Sequence, residues 1–195
     1  MATMGITKGL CYYTDNRCQE KIVSAVRTNL SEMGYPIVSV SLKPLPGFGK
    51  NIVVDMEPGI ETMFKQILIG LEASESDVIF LTEHDVLYDP SHFEFTPPKE
   101  DVFYYNVNTW VVNAETKKGM VYNEKQVSGL CAYRELLIRH YRKRIQRKYS
   151  WRQMGYEPGV LRRSSHMVES WKSENPNIDI RHGNNLTTGR FANLR

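Results

Sequence analysis

Hydrophobic and polar residues in the first half of the chain alternate between strand-like and helix-like spacing. Residues 6–13 and 78–81 are apolar, β-rich runs, and residues 37–41 alternate apolar with polar positions. Residues 22–33 and 59–74 instead place apolar side chains at helical spacing. The order strand, helix, strand, helix, strand is typical of βαβ units. The pattern predicts an α/β fold of Rossmann-like type, with a mostly parallel central sheet flanked by helices.

Turn-forming residues mark the ends of these elements. The polar residues 14–17 predict the end of the first strand, with Asp15 or Asn16 as the N-cap of the following helix. Gly34 predicts the C-terminal end of that helix. Prolines and glycines in residues 43–50 predict a loop before the next element.

The second half of the chain is predicted to be more mixed. Residues 101–113 are aromatic and β-branched and predict strands, with a hairpin through residues 117–119 back to residues 120–122. Residues 130–147 predict a basic amphipathic helix, and residues 178–181 predict a short late strand.

Length and composition limit the class of protein. At 195 residues, 41% of them hydrophobic and 24% charged, we expect a single globular α/β domain over residues 1–195. No apolar run approaches the ~20 residues of a membrane span, and residues 1–8 lack the apolar stretch of a signal peptide. Cys11, Cys18 and Cys131 form no C-x-x-C pair, so we expect a reduced, cytoplasmic protein.

Charge is distributed unevenly between the two halves. Residues 1–100 carry 8 Lys/Arg and 14 Asp/Glu, whereas residues 101–195 carry 17 and 8. Either the second half meets an anionic partner or one helix is solvated by arginines. The basic stretch comprises Arg134, Arg139, Arg142, Lys143, Arg144, Arg147, Lys148 and Arg152, interleaved with Tyr141, Tyr149 and Trp151.

Polar groups follow two of the predicted strands. Thr14-Asp15-Asn16 follows the first strand, and Glu83-His84-Asp85 follows the apolar run at residues 78–81. Ligands of parallel α/β sheets bind beyond the carboxyl ends of the strands. Carboxylates and imidazoles are ligands of divalent cations, so the second group predicts a divalent-metal or diphosphate site. The alternative interpretation is a solvated turn with a helix cap.

These features resemble a small nucleotide-sugar-dependent glycosyltransferase of the GT-A fold. In that family a DXD-like acidic motif after the central strand holds Mn²⁺ or Mg²⁺ against the nucleotide diphosphate. The matching residues here are Glu83-His84-Asp85, which depart from the motif by the Glu at its first position. The resemblance implies metal ligation by Asp85 and Glu83, a contact of His84 with the donor, and a nucleotide-sugar donor, most simply a UDP-sugar such as UDP-glucose.

The resemblance also implies roles for residues elsewhere. Thr14, Asp15 and Asn16 would contact the nucleoside, although helix capping is an alternative. His182 would be a further metal ligand, and Glu157 would be the catalytic base of an inverting reaction, with Asp85 as the other catalytic residue. Residues 1–85 would form the nucleotide-sugar-binding half, and residues 86–195 the acceptor-binding half.

Further residues are predicted to contact the donor or the acceptor, and each also has a purely structural interpretation. Lys50 and Lys65 would touch the donor phosphates, unless they are ordinary exposed lysines. Trp110 would stack on an acceptor, unless it is a core residue. The basic stretch, with Arg134, Arg142 and Arg144 as acceptor-binding residues, permits an anionic acceptor. That acceptor would be a hydroxymethylated base in DNA, as for some phage enzymes, or an anionic polysaccharide or lipid-linked molecule.

Two other functions remain open at this point. A metal-dependent phosphodiesterase or nuclease would use Glu83, His84, Asp85, His92 and His182, although H-x-x-H and H-E-x-x-H patterns are absent. A non-catalytic nucleic-acid-binding module would use the basic stretch alone.

Overall fold

The computed structural model describes residues 5–146, 157–160 and 167–183. Its strands and helices alternate through the first half of the chain, as the sequence predicts. In chain order the elements are β1 (Lys8–Thr14), α1 (Glu20–Glu32), β2 (Ile37–Ser41), β3 (Lys50–Val53), α2 (Ile60–Ala73), β4 (Val78–Glu83), β5 (Val86–Leu87), α3 (Pro90–Glu94), β6 (Val102–Asn106), β7 (Thr109–Asn113), β8 (Gly119–Val121), β9 (Leu130–Tyr133), α4 (Arg134–Gln146), β10 (Met167–Trp171) and β11 (Asn177–Arg181).

A seven-stranded sheet forms the centre of the fold, with the strand order β10-β6-β9-β4-β1-β2-β3. β1 pairs in parallel with β2 and with β4, and β2 pairs in parallel with β3. β9 is antiparallel to both of its neighbours, β4 and β6. The predicted α/β fold with a mostly parallel central sheet is therefore confirmed. The carboxyl ends of β1, β2 and β4 lie at one edge, which we call the carboxyl edge.

The central strands are apolar on both faces because helices cover the sheet on both sides. In β1, Cys11 and Tyr13 pack in one buried cluster with side chains of α2 and α4. Leu10 and Tyr12 face the opposite way and pack with side chains of α1. This two-sided burial explains why β1 lacks the alternation of apolar and polar residues that marks a half-exposed strand.

A second sheet of four strands, in the order β5-β11-β7-β8, lies beyond β4 in the chain and was not predicted. Its hairpin between β7 and β8 was predicted, and Val112 pairs there with Gly119. β5 and β11 pair antiparallel, with Asp179 opposite Val86. A strand of two residues, such as β5, leaves almost no periodic signal in a sequence.

Two sequence-based predictions need correction. Residues 130–133 form strand β9, and helix α4 begins at Arg134. The apolar residues of β9 are buried between β4 and β6, and a short buried run has the same appearance in a strand and in a helix. The N-cap of α1 is Gln19 and not Asp15 or Asn16. The predicted end at Gly34 agrees with its φ of 74° just past α1.

A buried polar network joins the two sheets around His92 of α3. The Nδ1 atom of His92 lies 2.9 Å from the side-chain amide of Asn106 in β6 and 3.2 Å from that of Asn177 in β11. Asn106 also donates to Ser173 Oγ at 2.8 Å. Because both amides donate to Nδ1, this nitrogen carries no proton, and burial lowers the pKa of His92 to about 3, against a smaller opposing effect of Asp89.

Among the described residues, no helix is both long enough and apolar enough to span a membrane.

Candidate metal and diphosphate site at the carboxyl edge

Three distant chain segments meet at the carboxyl edge. β4 ends at Glu83, and the chain turns through His84 and Asp85 into β5. The antiparallel pairing of β5 with β11 brings the residue after β11, His182, to this turn. The backbone N–H of Ile180 donates to the carbonyl oxygen of Asp85 at 2.8 Å, which fixes the two segments together.

Asp85 and His182, two of the predicted metal ligands, lie close together. The Nε2 atom of His182 lies 3.5 Å from Oδ2 of Asp85, and both side chains are largely buried. Burial alone would raise the pKa of Asp85. The hydrogen bond from His182 and the charges of His84, His182 and Arg181 outweigh that effect, so the pKa lies below its ordinary value. Asp85 is therefore ionised at neutral pH and suited to bind a cation.

Glu83 is held in place by two tyrosines. The hydroxyl of Tyr13 donates to its Oε1 at 2.6 Å, and the backbone N–H of Glu83 donates to the hydroxyl of Tyr88 at 3.0 Å. Burial and then the charge of Asp85 raise the pKa of Glu83 to about 8. Tyr13 thus holds the Glu83 carboxyl group beside the turn, and the role of Glu83 as a metal ligand stays a prediction.

Asp179 is a third acid at this edge and was missed by the sequence analysis. It is buried in β11, accepts a hydrogen bond from Gln126 at 3.0 Å, and lies 3.7 Å from Arg181. Burial, followed by the charge of Asp85, raises its pKa to about 6. The sequence feature that could have pointed to Asp179 is its position between two isoleucines of a predicted strand. That alternation shows which face Asp179 occupies and not what lies against it.

A cluster of sulfur and nitrogen ligands lies beside Asp85. One ligand atom each of Cys18, His84 and His182 lies within 4.8 Å of the others. Among the described residues, this is the one group of three or more Cys, His, Asp or Glu side chains whose ligand atoms lie close enough to hold a metal ion. It includes neither Glu83 nor Asp85. Burial, and next the charge of Asp85, raises the pKa of Cys18 to about 12. Cys18 was not predicted to take part, because nothing in the sequence links residues 18, 84 and 182.

The residues after β1 hold the next loop in place. Oδ1 of Asn16 accepts hydrogen bonds from the backbone N–H groups of Leu42 and Lys43 at 2.8 and 2.9 Å. The hydroxyl of Thr14 accepts from the backbone N–H of Asn16 at 3.0 Å. Asp15 pairs with Arg17 at 2.7 Å. Thr14, Asp15 and Asn16 thus lie at the carboxyl edge, as predicted, and join the loops after β1 and β2.

The two lysines predicted to touch donor phosphates have other contacts. The ammonium of Lys50 lies 3.1 Å from the carbonyl oxygen of Ala73, at the end of α2. Because α2 leads back to the amino end of β4, this contact directs Lys50 away from the carboxyl edge. Lys65 pairs with Glu61 at 2.7 Å on the exposed side of α2. The structure brings neither lysine to Asp85.

Several arginines of the basic stretch make contacts within the fold, as far as the structure describes them. Arg134 pairs with Glu135 at 2.9 Å, and its backbone N–H donates to Asp77, at the amino end of β4. Arg142 pairs with Glu72 at 2.6 Å. Arg144 needs correction as an acceptor-binding residue, since it is buried with its guanidinium 4.6 Å from the centre of the Phe64 ring. Arg147, Lys148, Tyr149, Trp151 and Arg152 lie outside the described residues.

Trp110 is exposed and is therefore not a core residue. It lies in β7 with 42% of its surface exposed, beside Met120 and Val121 of β8, which are also exposed. An exposed ring on a sheet is able to stack on a ligand. No contact described links Trp110 to Asp85 or His182.

Glu157 lies in a turn held against the central sheet. The hydroxyl of Tyr105, near the end of β6, donates to the carbonyl oxygen of Pro158 at 2.6 Å. Gly159 has a φ of 78°, and a Cβ there would lie 2.7 Å from the Phe103 ring. Burial raises the pKa of Tyr141, and the charges of Glu83 and Glu157 add smaller effects in the same direction.

The fold is similar to that of solved structures at low sequence identity. A glycosyltransferase involved in the glycosylation of the major capsid of PBCV-1 matches 89% of this chain and 92% of its own, with a TM-score of 0.54 and 9% identity. HddC from Yersinia pseudotuberculosis matches 90% of this chain and 93% of its own, with a TM-score of 0.51 and 12% identity.

The bifunctional IspDF from Campylobacter jejuni matches 86% of this chain, with a TM-score of 0.48 and 12% identity, and the chain spans 50% of its length. No protein-family model matches the sequence, and no curated protein matches it. The structural likenesses define the class of fold, which is the Rossmann-like α/β fold of the GT-A type.

Proposed function

We propose that this protein is a nucleotide-sugar-dependent glycosyltransferase whose donor diphosphate binds at the carboxyl edge. The observation that supports it best is the meeting of the Asp85 carboxylate with the His182 ring, 3.5 Å apart, beyond the central strands of a GT-A-type fold. Ligands of open α/β sheets bind at this edge. The two groups come from β-strand ends that are almost one hundred residues apart in the chain.

Asp85 and His182 suit a divalent cation, since an ionised carboxylate and an imidazole are both metal ligands. The cation, when bound, neutralises charge on the leaving diphosphate and acts as a Lewis acid. Asp85 and His182 would hold it; His84 lies in the turn that carries Asp85, and Glu83 supports that turn through its hydrogen bond with Tyr13. Taken by themselves, the oxygen of Asp85 and the nitrogen of His182 are compatible with Mn²⁺ or Mg²⁺.

Glu157 is the proposed base that accepts the proton of the acceptor hydroxyl in an inverting reaction. Its support is the turn at Pro158 and Gly159, which Tyr105 holds against the central sheet. General-base assistance contributes about 10²–10⁴ in rate. Glu157→Gln should therefore lower turnover by about that factor and leave donor affinity unchanged. Equal losses in donor affinity and turnover would contradict the assignment.

The residues after β1 are proposed to meet the nucleoside. Asn16 fixes the adjoining loop through Leu42 and Lys43. Asp15 is the side chain of the three that we assign to the ribose or base, because its partner, Arg17, is an exposed residue that can exchange for a ligand. A UDP-sugar is the first donor to test.

The acceptor is proposed to be anionic. Arg142, paired with Glu72, has exposed surface and remains a candidate contact. Arg144 is buried, and Arg134 lies at the amino end of β4, so that it could reach only a part of the acceptor far from Asp85. A hydroxymethylated base in DNA is one such acceptor, and its binding would weaken steeply as salt rises. A neutral oligosaccharide would bind with little dependence on salt.

Nucleotidyl transfer is a second candidate, because the same fold is found in nucleotidyltransferases and HddC is among the structural neighbours. The two reactions differ in their products. Glycosyl transfer from a nucleotide sugar releases a nucleoside diphosphate, and nucleotidyl transfer to a sugar phosphate releases pyrophosphate from a nucleoside triphosphate. Assaying both products with the same preparation separates the two functions.

The test of the main proposal is binding of nucleotide sugars, measured by calorimetry and thermal shift with and without Mn²⁺. We expect at least one nucleotide sugar to bind more tightly than the matching nucleoside monophosphate, in a Mn²⁺-dependent manner. Asp85→Asn should remove the Mn²⁺ dependence, whereas Asp101→Asn, an exposed acid before β6, should not. Cation-independent binding, or none across the panel, would refute the proposal.

A further inference from the structure

The sulfur atom of Cys18 lies at the proposed cation site, although the function argued above makes no use of it. Cys18 precedes α1 by two residues, and it packs against the buried cluster formed by Leu10, Tyr12 and Ile22. The core therefore fixes the position of the thiol. Its Sγ atom and one ring nitrogen each of His84 and His182 lie within 4.8 Å of one another.

The spacing of these three ligand atoms is close to that of a tetrahedral metal site. With metal–sulfur bonds of about 2.3 Å and metal–nitrogen bonds of about 2.0 Å, ligand atoms around one tetrahedral ion lie roughly 3.3–3.6 Å apart. The cluster needs a contraction of about 1 Å to reach these values. Side-chain rotation of His84, which is partly exposed in its turn, is able to supply that movement.

The kinds of ligand discriminate between metals. Mg²⁺ and Mn²⁺ prefer oxygen ligands, whereas a thiolate with two imidazoles suits Zn²⁺ and Co²⁺. Asp85 adds an oxygen next to the cluster, with its Oδ2 3.5 Å from Nε2 of His182. One sulfur, two nitrogens and one oxygen make a donor set that favours a thiophilic ion over Mg²⁺.

We infer that Cys18, His84 and His182, together with Asp85, form a site for a thiophilic divalent cation of the Zn²⁺ class, with Cys18 as a thiolate ligand. This inference builds on the proposed function, because it names the metal class of the same site. Coordination forms a sulfur–metal bond and releases the thiol proton to solvent. The site then selects its ion by the thiolate, and not by the carboxylates alone.

Co²⁺ is the probe for the thiolate, because its absorption spectrum reports the ligands directly. Titrating the whole protein with Co²⁺ should give a thiolate-to-metal charge-transfer band in the near ultraviolet and intense visible bands typical of tetrahedral coordination. Zn²⁺ should displace the Co²⁺ and abolish these bands, whereas an excess of Mg²⁺ should not.

Cys18→Ala is the decisive variant, and Cys131→Ala is its matched control at a buried cysteine of β9. Cys18→Ala should abolish the charge-transfer band and weaken Zn²⁺ binding by about 100-fold or more, since even groups outside the coordination sphere contribute 10–100-fold. Cys131→Ala should retain the band. His84→Gln, a second variant, should weaken Zn²⁺ binding while the charge-transfer band persists at saturation. Circular dichroism of each metal-free variant verifies that it is folded.

A charge-transfer band that survives in Cys18→Ala, or Co²⁺ binding to the wild-type protein without such a band, would overturn this inference. Failure of the proposed function gives a different result. In that case the Cys18-dependent band is present, and no nucleotide sugar binds to the Zn²⁺-loaded or Mn²⁺-loaded protein. Conversely, Mn²⁺-dependent binding of a nucleotide sugar with no Cys18-dependent band would refute the thiolate site and retain the glycosyltransferase.

Discussion

Two buried polar regions of this protein are built in opposite ways. Around His92, donors face acceptors: two amide groups point at one ring nitrogen, and Asn106 also reaches Ser173. At the carboxyl edge, by contrast, Glu83, Asp85 and Asp179 are buried close enough to affect one another's pKa values. The first arrangement stabilises the fold through its donor–acceptor pairs at Nδ1, although Nε2 of His92 has no hydrogen-bond partner among the described residues. The second raises the free energy of the folded protein, which is typical of a site that awaits a positively charged ligand.

The first prediction separates function from stability at the carboxyl edge. Asp85→Asn should lower glycosyl transfer by about 10²–10³-fold, the effect of removing one group that stabilises developing charge. The free energy of unfolding of the metal-free variant should fall only modestly, by about 1–2 kcal/mol, because the substitution loses the attraction of Asp85 to His182 and Arg181 but also relieves its repulsion of Glu83 and Asp179. Turnover assays and urea denaturation measure the two effects. A large loss of stability without a cation would show that Asp85 is structural.

The second prediction concerns the network between the sheets. His92→Ala should lower the free energy of unfolding by roughly 3 kcal/mol, because it leaves a cavity and removes the acceptor for two buried amides. Urea denaturation measures the change. Nucleotide-sugar affinity of the folded fraction should remain that of the wild-type protein. A stability within the error of wild type would mean that the two sheets are not held together through His92.

The third prediction is a pH dependence that originates at His92. Since burial lowers its pKa in the folded protein to about 3, the unfolded chain binds a proton at this residue below about pH 6.5 and the folded protein does not. This residue's contribution to stability is present above pH 6.5 and is lost as the pH falls towards 3, by at most about 1.4 kcal/mol per pH unit. The difference between the unfolding curves of wild type and His92→Gln, measured from pH 7.5 to 5, isolates the effect. Parallel curves would contradict it.

The smallest expected effect lies outside both regions, at the ion pair between Arg142 of α4 and Glu72 of α2. Both side chains are well exposed, so the pair should contribute about 0.2–1 kcal/mol. A double-mutant cycle with Arg142→Ala and Glu72→Ala measures that coupling. A value near zero would leave Arg142 available to an anionic acceptor, whereas a value well above 1 kcal/mol would make it a structural link between the two helices.

The sequence analysis was accurate where a feature depends on neighbouring residues, and it failed where a feature depends on contacts between distant parts of the chain. α2 was predicted within one residue at each end, because its apolar stripe is a local signal. β9 was mistaken for the start of a helix, because a strand of four residues, three of them buried, has no period of its own. Asp85 was proposed as a ligand from its position after a strand, and His182 from the resemblance to GT-A glycosyltransferases; the structure places the two side chains 3.5 Å apart.

The sequence by itself determined the alternation of strands and helices, and with it the edge of the sheet where acids and imidazoles would gather. Each of those signals depends on neighbours within a few residues, which the chain displays directly. Tertiary structure alone decided that Cys18 meets His84 and His182, that Arg144 is buried against Phe64, and that Asp179 lies close to Asp85. These contacts join segments far apart in the chain, and they form through the pairing of β5 with β11 and the packing of helices on the sheet, neither of which has a local pattern.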